Sequence, residues 1–196
     1  MTDVRGDHRK VIVFSGHMID GPGRSDPRFP HTKEKAAREA IELKLVEWGI
    51  NQDDLGICGG ACGGDIIFAE VCLAHGCSIK LMIGAHMDLF LERSVRIGGL
   101  SWADRFQTLR ENPRCETLVR ERTTLQTVSI NSEFEESNLW IWSTALQAAY
   151  PKAPYTLVLW DEKPYGEGAG GTSHFVSLVI GGKYSFSVIN PSLIVS

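Results

Sequence analysis

"GICGGACGGDIIFAE", residues 56–70, places five glycines in its first nine positions and then continues without a break as a helix. Glycine loses more backbone freedom on folding than any other residue. Five of them between Gly56 and Gly64 therefore mark backbone that something approaches too closely for a Cβ. The preceding "DLGIC" (54–58) is a short apolar run of the kind a buried strand presents, and "GDIIFAEVCLAHG" (64–76) reads as a helix closing on glycine.

Outward from this stretch the same alternation repeats. Upstream, "KVIVFSG" (10–16) is a continuously apolar strand followed by a Gly/Pro loop, "HMIDGPGRSDPRFP". The segment 31–49 then sets Ala37, Ile41, Leu45 and Trp48 on one helical face and ends at Gly49. Downstream, "SIKLMIG" (78–84) predicts a third strand, "MDLFLERSV" (87–95) and "SWADRFQTLRE" (101–111) two helices, and "CETLV" (115–119) a fourth strand. Ser101, with Asp104 three residues on, is the expected cap of the second of these helices. Residues 120–133 read as an irregular surface loop. "EESNLWIWSTALQAAY" (135–150) is a helix with Leu139, Trp142, Leu146 and Ala149 on one face. "YTLVLW" (155–160), "GGTSHFVSLVIGG" (170–182) and "YSFSVIN" (184–190) complete the series as strand, helix and strand.

Strands separated by helices require right-handed crossovers. The expected fold is therefore α/β, a Rossmann-like three-layer sandwich. A mainly parallel sheet of about six strands carries helices on both faces, in one domain spanning 1–196. Ligands of such sheets gather at the carboxyl ends of the strands. Three glycine-rich loops follow strands here: "SGHMIDGPG", "CGGACGGD" and "WDEKPYGEGAGGT".

The bulk properties exclude several classes. Twenty basic and twenty-four acidic residues give a net charge of −4 without a basic run, which argues against nucleic acid or an anionic membrane as partner. No signal-peptide pattern or spanning apolar stretch is present, so a cytoplasmic chain is expected. The five cysteines are odd in number and read as reduced thiols. Cys58, Cys62, Cys72, His75 and Cys77 lack the Cys-x-x-Cys knuckle of structural zinc, so neither metal nor cofactor is expected.

A helix beginning at Gly63, Gly64 or Asp65 points free N–H groups at the strand ends, where they favour an anion. Gly170, Gly171 and Thr172 offer the same chemistry, with the Thr172 hydroxyl as cap or ligand donor. Neither turn continues as Gly-Lys-Ser/Thr, which excludes the triphosphate-hydrolysing loop. A phosphate, ribose or base is the expected visitor, with tight helix–strand packing as the alternative.

"CGGACGGDIIFAEVCLAHGCSIKLMIG" resembles the glycine-rich strand–helix–strand of the SLOG superfamily, a Rossmann-like group. It includes the Lonely-guy phosphoribohydrolases and the DNA-processing proteins. "WDEKPYGEGAGGTSHFVSLVIGGKYSFSVIN" is similar to that group's second signature, Pro-Gly-Gly-x-Gly-Thr before a helix, and to the Gly-Thr turn of nucleoside deoxyribosyltransferases. "FLERSVRIGGLSWADRF" is similar to a stretch of bacterial SLOG-like domains. The resemblance implies a nucleotide-type ligand held by Gly59, Gly60, Gly63, Gly64, Ser94, Gly170, Gly171 and Thr172, in a homo-oligomer.

The enzymes of the group carry a catalytic Glu three residues after the Thr; here that residue is Phe175. The resemblance thus implies a module that binds a nucleotide or a nucleotide-derived signal. Two alternatives stay open: an N-glycosidase or deoxyribosyltransferase with relocated carboxylates, and a protein-interaction scaffold with degenerate loops. Asp161 and Asp65 are the candidate catalytic acids, since glycosidic cleavage needs a carboxylate. As ligand contacts, Asp65 would hold a ribose hydroxyl, or else simply suit the helix dipole, and Asp161, at a strand end, would orient a sugar hydroxyl. Gly16 and His17, at the end of the first strand, would face the ligand. Arg24 is favoured over Arg28 for phosphate. Trp102 and Arg105, three apart on one helix, would clamp a base or phosphate, or else pack and pair structurally.

Overall fold

A computed structural model of the chain describes residues 9–120, 130–163 and 171–195. Six strands form one sheet in the order β4-β3-β2-β1-β5-β6. They are β1 (Val11–Gly16), β2 (Leu55–Cys58), β3 (Ser78–Ile83), β4 (Cys115–Val119), β5 (Tyr155–Leu159) and β6 (Ser187–Ile189). Every neighbouring pair is parallel. The chain builds outward from β1 through β2, β3 and β4, then returns to the other side of β1 with β5 and β6. The order reverses between β1 and β5, and that reversal opens a crevice at the strand ends.

Both faces of the sheet's centre are buried, which is why β1, β2 and β5 are apolar runs instead of alternating ones, whereas the edge strands β4 and β6 are partly exposed. Ile12 and Phe14 pack with α1 (Glu34–Glu47), α2 (Gly64–Ala74) and α4 (Leu100–Glu111) through Ile41, Leu45, Ile66, Phe68 and Phe106. Val11 and Val13 face α5 (Ile130–Ala149) and α6 (Thr172–Gly181) through Ile141, Trp142, Phe175 and Val176. The three-layer sandwich expected from the sequence is therefore present. The Phe14 and Phe68 rings stack with centroids 4.8 Å apart, fixing α2 over β1. Each such side chain, fully removed from water, contributes about 1.5–3 kcal/mol.

Of the expected face of α1, Ala37, Ile41 and Leu45 are buried and Trp48, at the C-cap, is half-buried; the helix closes at Gly49 with paired bonds, Gly49 N–H to Val46 O and Ile50 N–H to Leu45 O. Other expectations need correction. Residues 87–95 do not form one helix: a single turn, α3 (Met87–Phe90), runs into a π-helical turn over Leu91–Val95. Ser101 does not cap α4, which starts one residue earlier behind Gly99 and has no side-chain cap. Residues 130–133, expected in a loop, belong to α5, and 121–129 lie outside the described residues. Leu139 is 49% exposed, because the buried stripe of α5 runs through Asn138, Ile141, Trp142 and Ala145.

All five cysteines are free, four of them buried. Among the described residues no three His, Cys, Asp or Glu converge as metal ligands would. No described helix is long and apolar enough to cross a membrane.

Candidate functional site

The carboxyl ends of β1, β2 and β3, the first half of α5 and the first turn of α6 enclose a pocket of about 290 Å³. Ser15, Gly16 and His17 reach it from β1, Gly59 and Ala61 from the turn after β2, and Gly84 and Ala85 from the end of β3. Its apolar wall is Phe14, Phe90, Phe134 and Ile141. Ligand pockets typically combine such a wall with a few placed polar groups.

The glycines of 56–64 divide by what stands against them. At Gly63, φ is +97°, and a Cβ would lie 2.4 Å from the Ile19 nitrogen and 2.8 Å from the His17 carbonyl oxygen. The chain leaving β1 crosses here: Met18 and Gly63 form an antiparallel bridge, and the Ile19 and Gly64 N–H groups donate to Cys62 O and His17 O. Protein backbone, not a ligand, is what approaches Gly63. Gly64 is pressed against Gly16 and Phe14, and Gly60 against the Phe106 ring. Gly59 is the one of the five that lines the pocket.

The first turn of α2 places Asp65 on the pocket wall, only 7% exposed. Its Oδ2 accepts the Ala61 N–H at 3.2 Å, while Oδ1 is buried without a hydrogen-bond partner. Burial pushes this carboxyl up to about 7, against the pull of the N–H groups of Ala61, Gly16, Gly59 and Gly60. The folded chain thus holds a proton that the unfolded chain releases near its ordinary value of 3.8. Stability from this group is full below about pH 4, falls as pH rises towards 7 and is level above, on the order of 4 kcal/mol in all. Urea midpoints measured across that window are expected to fall with pH in the parent and to stay nearly flat in Asp65→Asn.

Asp161 sits at the end of β5 but does not line the pocket. Arg28 grips its carboxylate in bidentate fashion, Nε to Oδ2 at 2.9 Å and Nη2 to Oδ1 at 2.6 Å. His17 Nε2 lies 3.0 Å from Oδ1 and also 3.0 Å from the Asp161 backbone nitrogen. Burial alone would raise this carboxyl; the guanidinium first, then His17 and the Lys163 N–H, hold it far below the usual carboxylate range. The two candidate acids are therefore pushed in opposite directions, Asp65 into the neutral range and Asp161 into permanent ionisation.

Arg24 borders the pocket with its side chain 37% exposed, its Nη1 3.4 Å from Asp20 Oδ1. Arg28, the less favoured arginine, is the buried partner of Asp161. Ser94, in the π-helical turn, lines the pocket and gives its carbonyl to the Cys62 N–H at 2.7 Å. Gly171 and Thr172 line it from the start of α6, where Gly171 is the N-cap and no side chain caps the helix. Gly170 lies outside the described residues. Trp102 and Arg105 stand elsewhere. Trp102 is buried in the core with the Arg105 guanidinium 3.9 Å over its ring, and Arg105 pairs with Glu70 and Glu34.

The sequence reading missed α5 as a pocket wall. Phe134, Ser137, Asn138 and Ile141 form an i, i+3, i+4, i+7 stripe that faces the strand ends, with Glu133 beside it. That spacing was the available signal, obscured by the acidic stretch around it. Asn138 Nδ2 donates to Gly171 O at 3.2 Å and ties this wall to the first turn of α6.

No family model matches the chain, and no curated protein matches it. Among solved structures it is similar to TM1055, at 14% identity and a TM-score of 0.42, over 88% of this chain and 67% of that one. It is also similar to DNA processing protein A from Streptococcus pneumoniae, at 14% identity and a TM-score of 0.42, over 93% of this chain and 58% of that one. A third is the Moco carrier protein from Chlamydomonas reinhardtii, at 11% identity and a TM-score of 0.36, over 94% and 91%. At these values the likeness does not extend to function.

Proposed function

We propose that the pocket binds a nucleotide or a nucleotide-derived small molecule, and that binding rather than turnover is its task. The observation that supports this reading is the convergence on one cavity of two unlike polar features. The first turn of α6 enters the cavity at Gly171 and Thr172, a helix start of the kind that suits an anion, while the buried Asp65 carboxyl is a polar group on its wall. Phe90 and Phe134 line the cavity with aromatic side chains, against which a base can pack.

Arg24 is the one arginine or lysine among the described residues that line the pocket. Arg24→Ala is expected to weaken binding of nucleoside monophosphates by about tenfold, the scale of one charge-assisted contact. Added salt should weaken the parent more than the variant, because a half-exposed charge is screened over about 8 Å at physiological ionic strength. Titration calorimetry at two salt concentrations measures both. Binding that ignores Arg24 and salt alike would remove the phosphate from this corner.

A second reading, cleavage of the base–sugar bond, draws on the burial of Asp65 on the pocket wall, which pushes its carboxyl up to about 7, the range in which a general acid works best. Phe175 speaks against it, since the position of the expected carboxylate is a fully buried ring packed edge-on to Trp142. Free base released during the same calorimetric incubations, seen by chromatography, would favour cleavage.

A further inference from the structure

We infer that Cys72 and Cys77 form a reversible dithiol–disulfide pair, a site of oxidative modification where α2 turns into β3. α2 ends at His75, and the chain reverses at Gly76, where φ is +79°. Gly76 N–H donates to Leu73 O at 2.9 Å, and Cys77 N–H donates to Cys72 O at 3.0 Å. Together these are the two bonds of a helix end closed by a left-handed glycine. In that motif the side chains at the two ends of the longer bond commonly touch. Here both are thiols. With Cys77 N 3.0 Å from Cys72 O, backbone dimensions hold the two Cα atoms within about 7 Å, a span a disulfide can bridge. The thiols are in hydrogen-bond contact with each other, and Cys77 Sγ also reaches Asn51 O at 3.2 Å.

The two sulfurs are not equivalent. Burial pushes the Cys72 thiol up, whereas the Cys72 thiol beside it pulls Cys77 below its ordinary value against burial. Cys77 is therefore the better thiolate, and the thiolate is the reactive form. It lies beneath the exposed turn Asn51–Asp53, with Gln52 packed against Gly76. Surface turns open at little cost, which admits an oxidant as small as hydrogen peroxide. The Cys77 thiolate attacks one peroxide oxygen; the O–O bond breaks, hydroxide leaves, and Cys77 becomes a sulfenic acid. The Cys72 sulfur then attacks Cys77 Sγ. The S–S bond forms as the S–O bond breaks, and the hydroxyl leaves as water with the Cys72 proton. Two thiols and one peroxide give one disulfide and two waters. A small thiol reductant reverses the step by exchange. The pair stands at the opposite end of α2 from Gly64 and Asp65, so the inference is independent of the ligand proposed above.

The test treats the full chain, freed of reductant, with a dose of hydrogen peroxide that fully oxidises free cysteine in a parallel tube. The protein is then denatured, alkylated and cut after glutamate. Cleavage at Glu70 and Glu92 releases the fragment 71–92, which holds Cys72 and Cys77 and no other cysteine. The expected fragment carries no alkyl group and has lost two hydrogens. Dithiothreitol before alkylation should restore the doubly alkylated form. In Cys77→Ser the same treatment should leave Cys72 open to alkylation. A parent fragment that stays doubly alkylated after peroxide overturns the inference, and this result needs no variant to fold. A bridge from either residue to a third cysteine overturns it as well. So does Cys77 oxidised to sulfinic acid beside a free Cys72, because the two sulfurs would then be out of reach of each other.

Discussion

Gly63→Val is expected to leave too little folded protein for a cooperative melt. Three atoms would lie within 3 Å of the new Cβ, namely Ile19 N at 2.4 Å, His17 O at 2.8 Å and Met18 C at 2.9 Å. All three belong to backbone, so no rotamer change relieves the overlap. The dihedrals of Gly63, φ +97° and ψ −126°, are a further obstacle for a β-branched residue. Such a conformation costs about 1–3 kcal/mol by itself. Forcing the strands of the bridge apart would break two backbone hydrogen bonds as well. Against a total stability of about 5–15 kcal/mol for a domain, that sum is ruinous. Gly59→Ala is the useful contrast. Its Cβ would meet only Asp65 Oδ2 at 3.0 Å and Ile141 beyond, so folding should survive while the pocket narrows beside Asp65. Circular dichroism melts of the two variants decide the matter. A Gly63→Val protein melting within a few degrees of the parent would show that the crossing at Met18 is not as tight as described.

The second large effect is expected at Asp161. Asp161→Asn removes the charge that balances Arg28 while leaving the guanidinium in place, 2% exposed. Breaking a buried pair from one side costs about 3–5 kcal/mol, since the remaining ion keeps its desolvation penalty. The pH dependence carries the sign. Asp161 is held ionised well below its ordinary 3.8, so its contribution is complete above about pH 4 and is lost as pH falls further. Urea denaturation at pH 7 should therefore show a deep loss in the variant. The gap between parent and variant should narrow as the pH is lowered towards 2. Arg28→Met together with Asp161→Asn removes both charges and is expected to recover part of the loss. A gap that stays constant with pH would mean that Asp161 acts through its shape alone.

Much of this architecture is legible in the chain. The central strands announce themselves because strands covered on both faces need unbroken apolar runs, and "KVIVFSG" or "YTLVLW" has no competing helical period. The helix over Glu34–Glu47 is equally plain, with buried positions at helical spacing and a closing glycine. What the chain hides is the long-range partner. Gly63 meets Met18, 45 positions away, and Arg28 meets Asp161 across 133. Arg24 and Arg28 share one Gly/Pro loop and look alike locally. Only the folded path decides that one turns inward to a carboxylate and the other stays at the pocket rim. Asp65 was visible as an acid in a first turn, but its missing partner is a property of the cavity.

The sheet order has a consequence for how the protein is made. Translation delivers β1 to β4 first, and these can pair at once, since β1 touches β2, β2 touches β3 and β3 touches β4. The other edge of β1, and the apolar face of Val11 and Val13, must then wait for α5, β5 and α6. From Val119 to Thr172 is 53 positions, on the order of 3–10 s at about 5–20 residues per second. For that interval the nascent chain presents an open strand edge beside an uncovered apolar surface, the combination that invites mispairing. The pocket, roofed by α5 and completed by the first turn of α6, takes shape only after both have emerged, with β6 alone of the strands still to follow.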